Sequence, residues 1–269
     1  MGATPAISRP SLWQSLLEFR AIAELMSIRP ARPMLNMAPR GDGQPVLVFP
    51  GFFAADNSTA SIRKYLNSKG FTAYAWEQGR NPGISQELYL RLEERVLALS
   101  SEHGCKVSLV GWSLGGIYAR LLAHRIPDHI RQVVTLGSPF KVAEEGAVTG
   151  AVARLYERMN PNQQDDPMMQ HEPLWRTSPP VPSTAIYSEG DGVAHWSFCI
   201  DIEDEHTENV QVAGSHLGMT HNPLVMYAVA DRLGQQEGNW RPFQWVPERL
   251  RHSMARTRLL FNRASIAPA

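Results

Sequence analysis

Short, mostly apolar runs alternate along the chain with longer segments in which apolar residues recur every three or four positions. Val46-Leu47-Val48-Phe49, Val107-Ser108-Leu109-Val110 and Val133-Val134-Thr135-Leu136 are runs of the first kind. Their length and β-branched content predict strands buried on both faces. The first of them ends at Pro50-Gly51, a pair that stops a strand. Residues 71–76, 185–187 and 210–212 are predicted as further strands. Between strands, Leu88, Leu92, Val96 and Leu99 share one face of a helix predicted over 86–101. Other helices are predicted from Asn57 or Ser58 to Leu66, closed by Lys69-Gly70, from Ser113 to about His124, and from Pro223 to Leu233. Strand and helix trading places this regularly predict an α/β fold. Its mostly parallel central sheet has about six strands, with helices on both faces.

Two regions depart from the alternation. Leu12, Leu16, Phe19, Ala23 and Met26 recur at helical spacing, which predicts an amphipathic helix over 11–26 with Ser11 as N-cap and a loop rich in Pro and Arg after it. Between Phe140 and Pro182 the rhythm breaks, with a helix predicted near 148–159 and then polar, proline-rich sequence containing Met168, Met169 and Trp175. A connection of that length in a compact domain is expected to be a lid or cap, the alternative being a disordered surface excursion. The expected division is an N-terminal helix and linker over 1–40, a main domain over 41–240 with the insertion at 140–182, and a basic tail over 241–269.

Composition narrows the function classes. The chain has 269 residues, with 26 Lys+Arg against 26 Asp+Glu and a net charge of +0. The balance argues against a nucleic-acid partner, which draws on a basic excess. Arg241, Arg249, Arg251, Arg256, Arg258 and Arg263 face only Glu248 near the C-terminus. Such a run reads as a solvated face or as a contact with a membrane surface or protein. Two cysteines, Cys105 and Cys199, supply neither a disulfide framework nor a four-thiolate metal site, and free thiols are expected. His195, His206, His216 and His221 lie near Asp201, Glu203, Asp204 and Glu205, but their spacing matches no metal motif, so no metal and no cofactor are expected. Without a charged-then-apolar leader pattern or a long apolar span, a cytoplasmic location is the expectation.

The sharpest chemical signal is Gly111-Trp112-Ser113-Leu114-Gly115, placed between a predicted strand and a predicted helix. That is the G-x-S-x-G nucleophile elbow in the context that gives it meaning. A turn tight enough to project Ser113 strains its backbone, and the glycines remove the bulk that the turn cannot accommodate. The helix starting there turns its N-terminal dipole toward negative charge developing on a substrate.

With these residues, the chain from about residue 46 to residue 233 resembles an α/β-hydrolase of the lipase/esterase type. The resemblance implies Ser113 as nucleophile, with backbone N–H groups of Phe52 and Leu114 forming an oxyanion hole. Pro50 departs from the family pattern, in which His often precedes the glycine. The family's acid follows a late strand, where Asp191 in Tyr187-Ser188-Glu189-Gly190-Asp191-Gly192 matches, with Glu189 as competitor. The base lies past the last strand, at His216, with His195, His206 and His221 as rivals. Phe53, Trp112 and Phe140 are candidates for the substrate pocket. The implied activity is hydrolysis of small-molecule carboxylic esters or lipids, with an apolar acyl group, through an acyl-enzyme. An acyltransferase or thioesterase would share the residues, and a binding or scaffold protein would keep only the fold.

Overall fold

The buried runs become six strands of one all-parallel sheet, as seen in a computed structural model that describes residues 15–141 and 147–245. They are β1 (Pro45–Phe49), β2 (Thr72–Ala75), β3 (Val107–Trp112), β4 (Ile130–Leu136), β5 (Ser183–Tyr187) and β6 (Thr207–Gln211). Their order is β2-β1-β3-β4-β5-β6, so the chain reverses its direction of progress between β1 and β3. A crevice opens at such a switch point, beyond the carboxyl ends of the strands.

Alternation along each strand builds two separate cores. Leu47, Phe49, Leu109, Val133 and Ala185 face one side, where α4 (Gln86–His103) and α5 (Leu114–Arg125) cover them. Val46, Val48, Val110, Val134, Ile186 and Val210 face the other, beneath α3 (Ala60–Ser68) and α8 (Pro223–Leu233). Local signals agree with these packings. Ser85 caps α4 by accepting from the Leu88 N–H, and Asn222 caps α8 by accepting from the Leu224 N–H. The residues between Phe140 and Ser183 include α6 (Gly150–Met159) and α7 (Glu172–Arg176), with short 3-10 turns between them. Among the described residues no helix is long and apolar enough to cross a membrane.

The N-terminal region departs from its expected form. Residues Leu17–Arg20 form a 3-10 turn and Ala21–Ser27 form α1, while the predicted cap, Ser11, lies outside the described residues. The expected Pro/Arg-rich loop contains α2 (Arg32–Met37), which starts with a proline in its first turn and buries Leu35 in the second core. An amphipathic helix ordinarily turns its apolar stripe inward. Here Leu16, Phe19, Ile22 and Met26 are exposed, whereas Glu18 is buried and Glu24 is largely covered. The charged side faces in because Glu18, Arg20 and Glu24 bond backbone groups of the loops that follow β5 and β6.

Candidate active site

Everything at the site begins with the backbone of Ser113, which sits at φ 53° and ψ −124° between β3 and α5. That left-handed conformation is costly for a residue with a Cβ and is kept only where the surroundings over-determine it. Two glycines allow it. A Cβ on Gly115 would lie 2.6 Å from the Phe49 carbonyl oxygen, and one on Gly111 would collide with Gly116 and the Gly115 carbonyl. The turn therefore presses against β1, which is why small residues stand on both sides of the serine.

The Ser113 hydroxyl lies 3.0 Å from His216 Nε2, and His216 Nδ1 lies 2.6 Å from Asp191 Oδ2. His216 and Asp191 are buried. Asp191 stands in the turn after β5, and its other oxygen accepts from the N–H groups of Val193 and Ala194 at 2.8 and 2.7 Å. The imidazole is therefore oriented by a carboxylate that is itself held by the backbone. Burial works against the charged imidazolium, but the Asp191 charge, its hydrogen bond and the Glu18 charge together outweigh it. The His216 pKa stands above the ordinary histidine value of 6.5.

The rival residues lie elsewhere. His195 pairs with the Ser197 hydroxyl at 2.8 Å, and His221 Nε2 lies 3.0 Å from the Ala21 carbonyl oxygen. The His206 ring packs edge-on against Trp240. Glu189 lines a surface cavity beside β6 instead of the Ser113 crevice.

Phe52 follows β1, and Leu114 opens α5, where a first-turn N–H has no acceptor within its own helix. The loop bearing Phe52 is fastened by a residue that sequence reasoning passed over. Asn81 is fully buried, donates to the Pro50 carbonyl at 2.9 Å, and exchanges backbone hydrogen bonds with Phe53 and Ala54 at 2.8 Å. Its signal was the Asn81-Pro82-Gly83 turn, a sequence that needs an internally bonded asparagine to close.

A cavity of about 290 Å³ meets Ser113. Phe52, Leu114, Ile117, Val152, Tyr156 and Met169 are among its walls, so part of it comes from the 140–182 insertion. Three expected pocket residues take other places. Phe53 is part-exposed under the Arg80 guanidinium, 4.3 Å from its ring centroid. Phe140 is fully buried with the Arg120 guanidinium 3.8 Å above its ring. Trp112 packs in the second core and donates from Nε1 to the His216 carbonyl at 3.0 Å. Strand parity explains Trp112, because alternate side chains of β3 point to opposite faces.

The insertion is fastened at both ends. The Tyr156 hydroxyl donates to Gln163 Oε1 at 2.8 Å and accepts from the Ile84 N–H at 3.1 Å. Val148 pairs as an antiparallel bridge with Ala194, next to the Asp191 turn. Arg120, fully buried in α5, donates to the Trp175 and Thr177 carbonyls and to Asp201, each at 2.6 Å. The two cysteines are free, Cys105 exposed and Cys199 buried.

No family model matches the chain. It is 32% identical over 116 residues to serine hydrolase BPHL of Mus musculus, covering 39% of this chain and 40% of that protein. The chain thus spans about two fifths of that relative. It is 22% identical over 202 residues to a carboxylesterase of Bacillus subtilis, covering 70% of this chain and 78% of that one. In structure it is similar to lipase B of Aspergillus fumigatus, with a TM-score of 0.53 and 16% identity over 74% of this chain and 55% of that one. It is also similar to a monoacylglycerol lipase of Paleococcus ferrophilus, with a TM-score of 0.50 and 15% identity over 72% of this chain and 96% of that one. Together with the parallel sheet and the strained serine at the end of β3, these likenesses show that the chain has the α/β-hydrolase fold.

Proposed function

We propose that this protein hydrolyses carboxylic esters of small molecules through an acyl-enzyme formed on Ser113. The observation that carries the reading is the continuous line Ser113–His216–Asp191 (3.0 and 2.6 Å) beside a largely apolar cavity. In this reading His216 Nε2 takes the Ser113 proton as the oxygen attacks the ester carbonyl carbon. The Phe52 and Leu114 N–H groups stabilise the oxyanion of the tetrahedral intermediate. Its collapse breaks the carbonyl–alkoxy bond, and His216 returns the proton to the departing alcohol. Water, deprotonated by His216, then attacks the acyl-enzyme and releases the acid. Asp191 keeps Nδ1 protonated and stabilises the imidazolium at each stage.

The cavity supports a substrate with a short to medium apolar acyl group, since about 290 Å³ lies at the small end of ligand sites. The insertion serves as the cap of this pocket and supplies Val152, Tyr156 and Met169 to it. The test is a series of p-nitrophenyl esters with the wild type and Ser113→Ala. Turnover is expected to peak at intermediate chain length and to vanish in the variant, which keeps its fold. Turnover undiminished in purified Ser113→Ala refutes the mechanism.

A further inference from the structure

We infer that Glu18 is a positioning residue, whose carboxylate sets the loop bearing Asp191 against the loop bearing His216. This inference rests on the esterase reading above and concerns how the Asp191 and His216 side chains are held in register. Glu18 Oε1 accepts from the Gly192 N–H at 2.8 Å and from the His216 N–H at 2.9 Å, while Oε2 accepts from the Leu217 N–H at 2.8 Å. One side chain therefore ties the residue after the acid to the base residue and its successor. It is only 7% exposed, and its bonds to the Gly192 and His216 N–H groups are buried.

The need for such a group follows from where the loops lie. Both leave the carboxyl ends of neighbouring parallel strands, β5 and β6, and beyond the strands their N–H groups have no ladder partner. Buried N–H groups without acceptors are costly, and a carboxylate with about four acceptor sites answers three of them at once. Charge-assisted bonds of this kind are roughly twice as strong as neutral ones.

The neighbouring side chains treat the same two loops in the complementary way. Arg20 donates to the carbonyls of Gly190 and Gly214, the latter at 2.7 Å, and Ser15 donates to the Gly192 carbonyl at 3.0 Å. Glu24 accepts from the Ser215 N–H and hydroxyl at 2.8 and 2.9 Å. Acidic groups meet the amides and a basic group meets the carbonyls, which accounts for the inverted polarity of this segment. Because the Asp191–His216 contact spans the two loops, its 2.6 Å geometry depends on this fastening. The charged groups that raise the His216 pKa are Asp191 and Glu18, so the clamp also favours the imidazolium.

The experiment compares wild type, Glu18→Gln and Glu18→Ala in the full chain, by p-nitrophenyl ester kinetics across pH and by fluorophosphonate labelling. For Glu18→Ala, kcat is expected to fall by about 10- to 100-fold with KM within about threefold, as for a sub-ångström to ångström misplacement of reacting groups. The acid limb of its kcat/KM profile moves to lower pH. Glu18→Gln, which keeps one carbonyl acceptor but no charge, recovers part of kcat and leaves the limb displaced. If both variants melt earlier yet keep kcat within twofold and an unmoved acid limb, Glu18 is only a structural staple. Should neither variant fold, hydrogen exchange on the wild type decides. Exchange of the Gly192, His216 and Leu217 amides as slow as that of core strands supports the clamp, and exchange at exposed-loop rates overturns it. A wild type that neither turns over esters nor reacts with fluorophosphonate sinks the esterase reading itself, and this role with it.

Discussion

Trp112 Nε1 donates a hydrogen bond to the His216 carbonyl at 3.0 Å, and its ring centroid lies 5.8 Å from the imidazole. The residue that precedes the serine on β3 thereby holds the backbone of the residue that faces the serine. The bond links two ends of the site that are 104 residues apart in sequence. Trp112→Phe keeps an aromatic ring and removes only the donor. It is expected to cost about 1 kcal/mol of stability, as for a typical buried hydrogen bond, and to lower kcat severalfold with little change in KM. Chemical denaturation and steady-state kinetics measure the two effects.

The strained Ser113 backbone makes a second prediction that separates stability from activity. Glycine adopts φ 53° without the penalty that a Cβ brings, whereas alanine retains it. Ser113→Gly is therefore expected to be more stable than Ser113→Ala by about 1 kcal/mol, since glycine relieves backbone strain of that order. Both variants lack turnover. Paired thermal melts suffice to show the ordering.

The raised His216 pKa has consequences of a definite sign. In the proposed mechanism His216 must be neutral to accept the Ser113 proton, so kcat/KM should climb with pH through an apparent pKa above 6.5. For stability the sign is opposite. A group that binds its proton more tightly when folded stabilises the fold below pH 6.5, and that contribution is lost as pH rises through the raised value. Asp191→Asn removes the largest cause that raises the pKa. Its acid limb should fall to lower pH while kcat drops on the order of 10⁴-fold, because the imidazole then loses its tautomer control.

Arg120 and Asp201 form a buried pair at 2.6 Å, with the guanidinium also bonded to two carbonyls at the end of the insertion. Asp201→Ala leaves that guanidinium buried without its counter-charge, which costs about 3–5 kcal/mol. The expected fall in Tm is about 10 °C or more for a domain of this size. A loss below about 1 kcal/mol would show that water or a neighbouring side chain replaces the carboxylate.

Much of the scaffold was legible before any coordinates. The runs at 46–49, 107–110 and 133–136 are strands because apolar residues on both parities suit a sheet covered on both faces. The helix face of Leu88, Leu92, Val96 and Leu99 is buried throughout. Ser113 was legible for a local reason, since the strand, the two glycines and the helix that shape its turn are contiguous. The surroundings of Phe53, Trp112 and Phe140 could not be read from sequence, because lining a cavity depends on strand parity and on which distant segment packs above. Glu18 and Glu24 carried no motif at all, and Asn81 only the turn it forms with Pro82 and Gly83. Their partners are backbone N–H and C=O groups, which every residue presents and no sequence pattern distinguishes.

Alone, the order of residues determined the alternation of strand and helix and the bend that exposes one serine. Those features arise from interactions within a few residues of each other: side-chain periodicity, caps and the absence of a Cβ. Tertiary structure decided which histidine meets that serine, which carboxylate meets that histidine, and which way the N-terminal segment turns. Both depend on loops from β5 and β6 arriving at the same sheet edge, where buried amides without strand partners draw acidic side chains inward and leave apolar ones facing out.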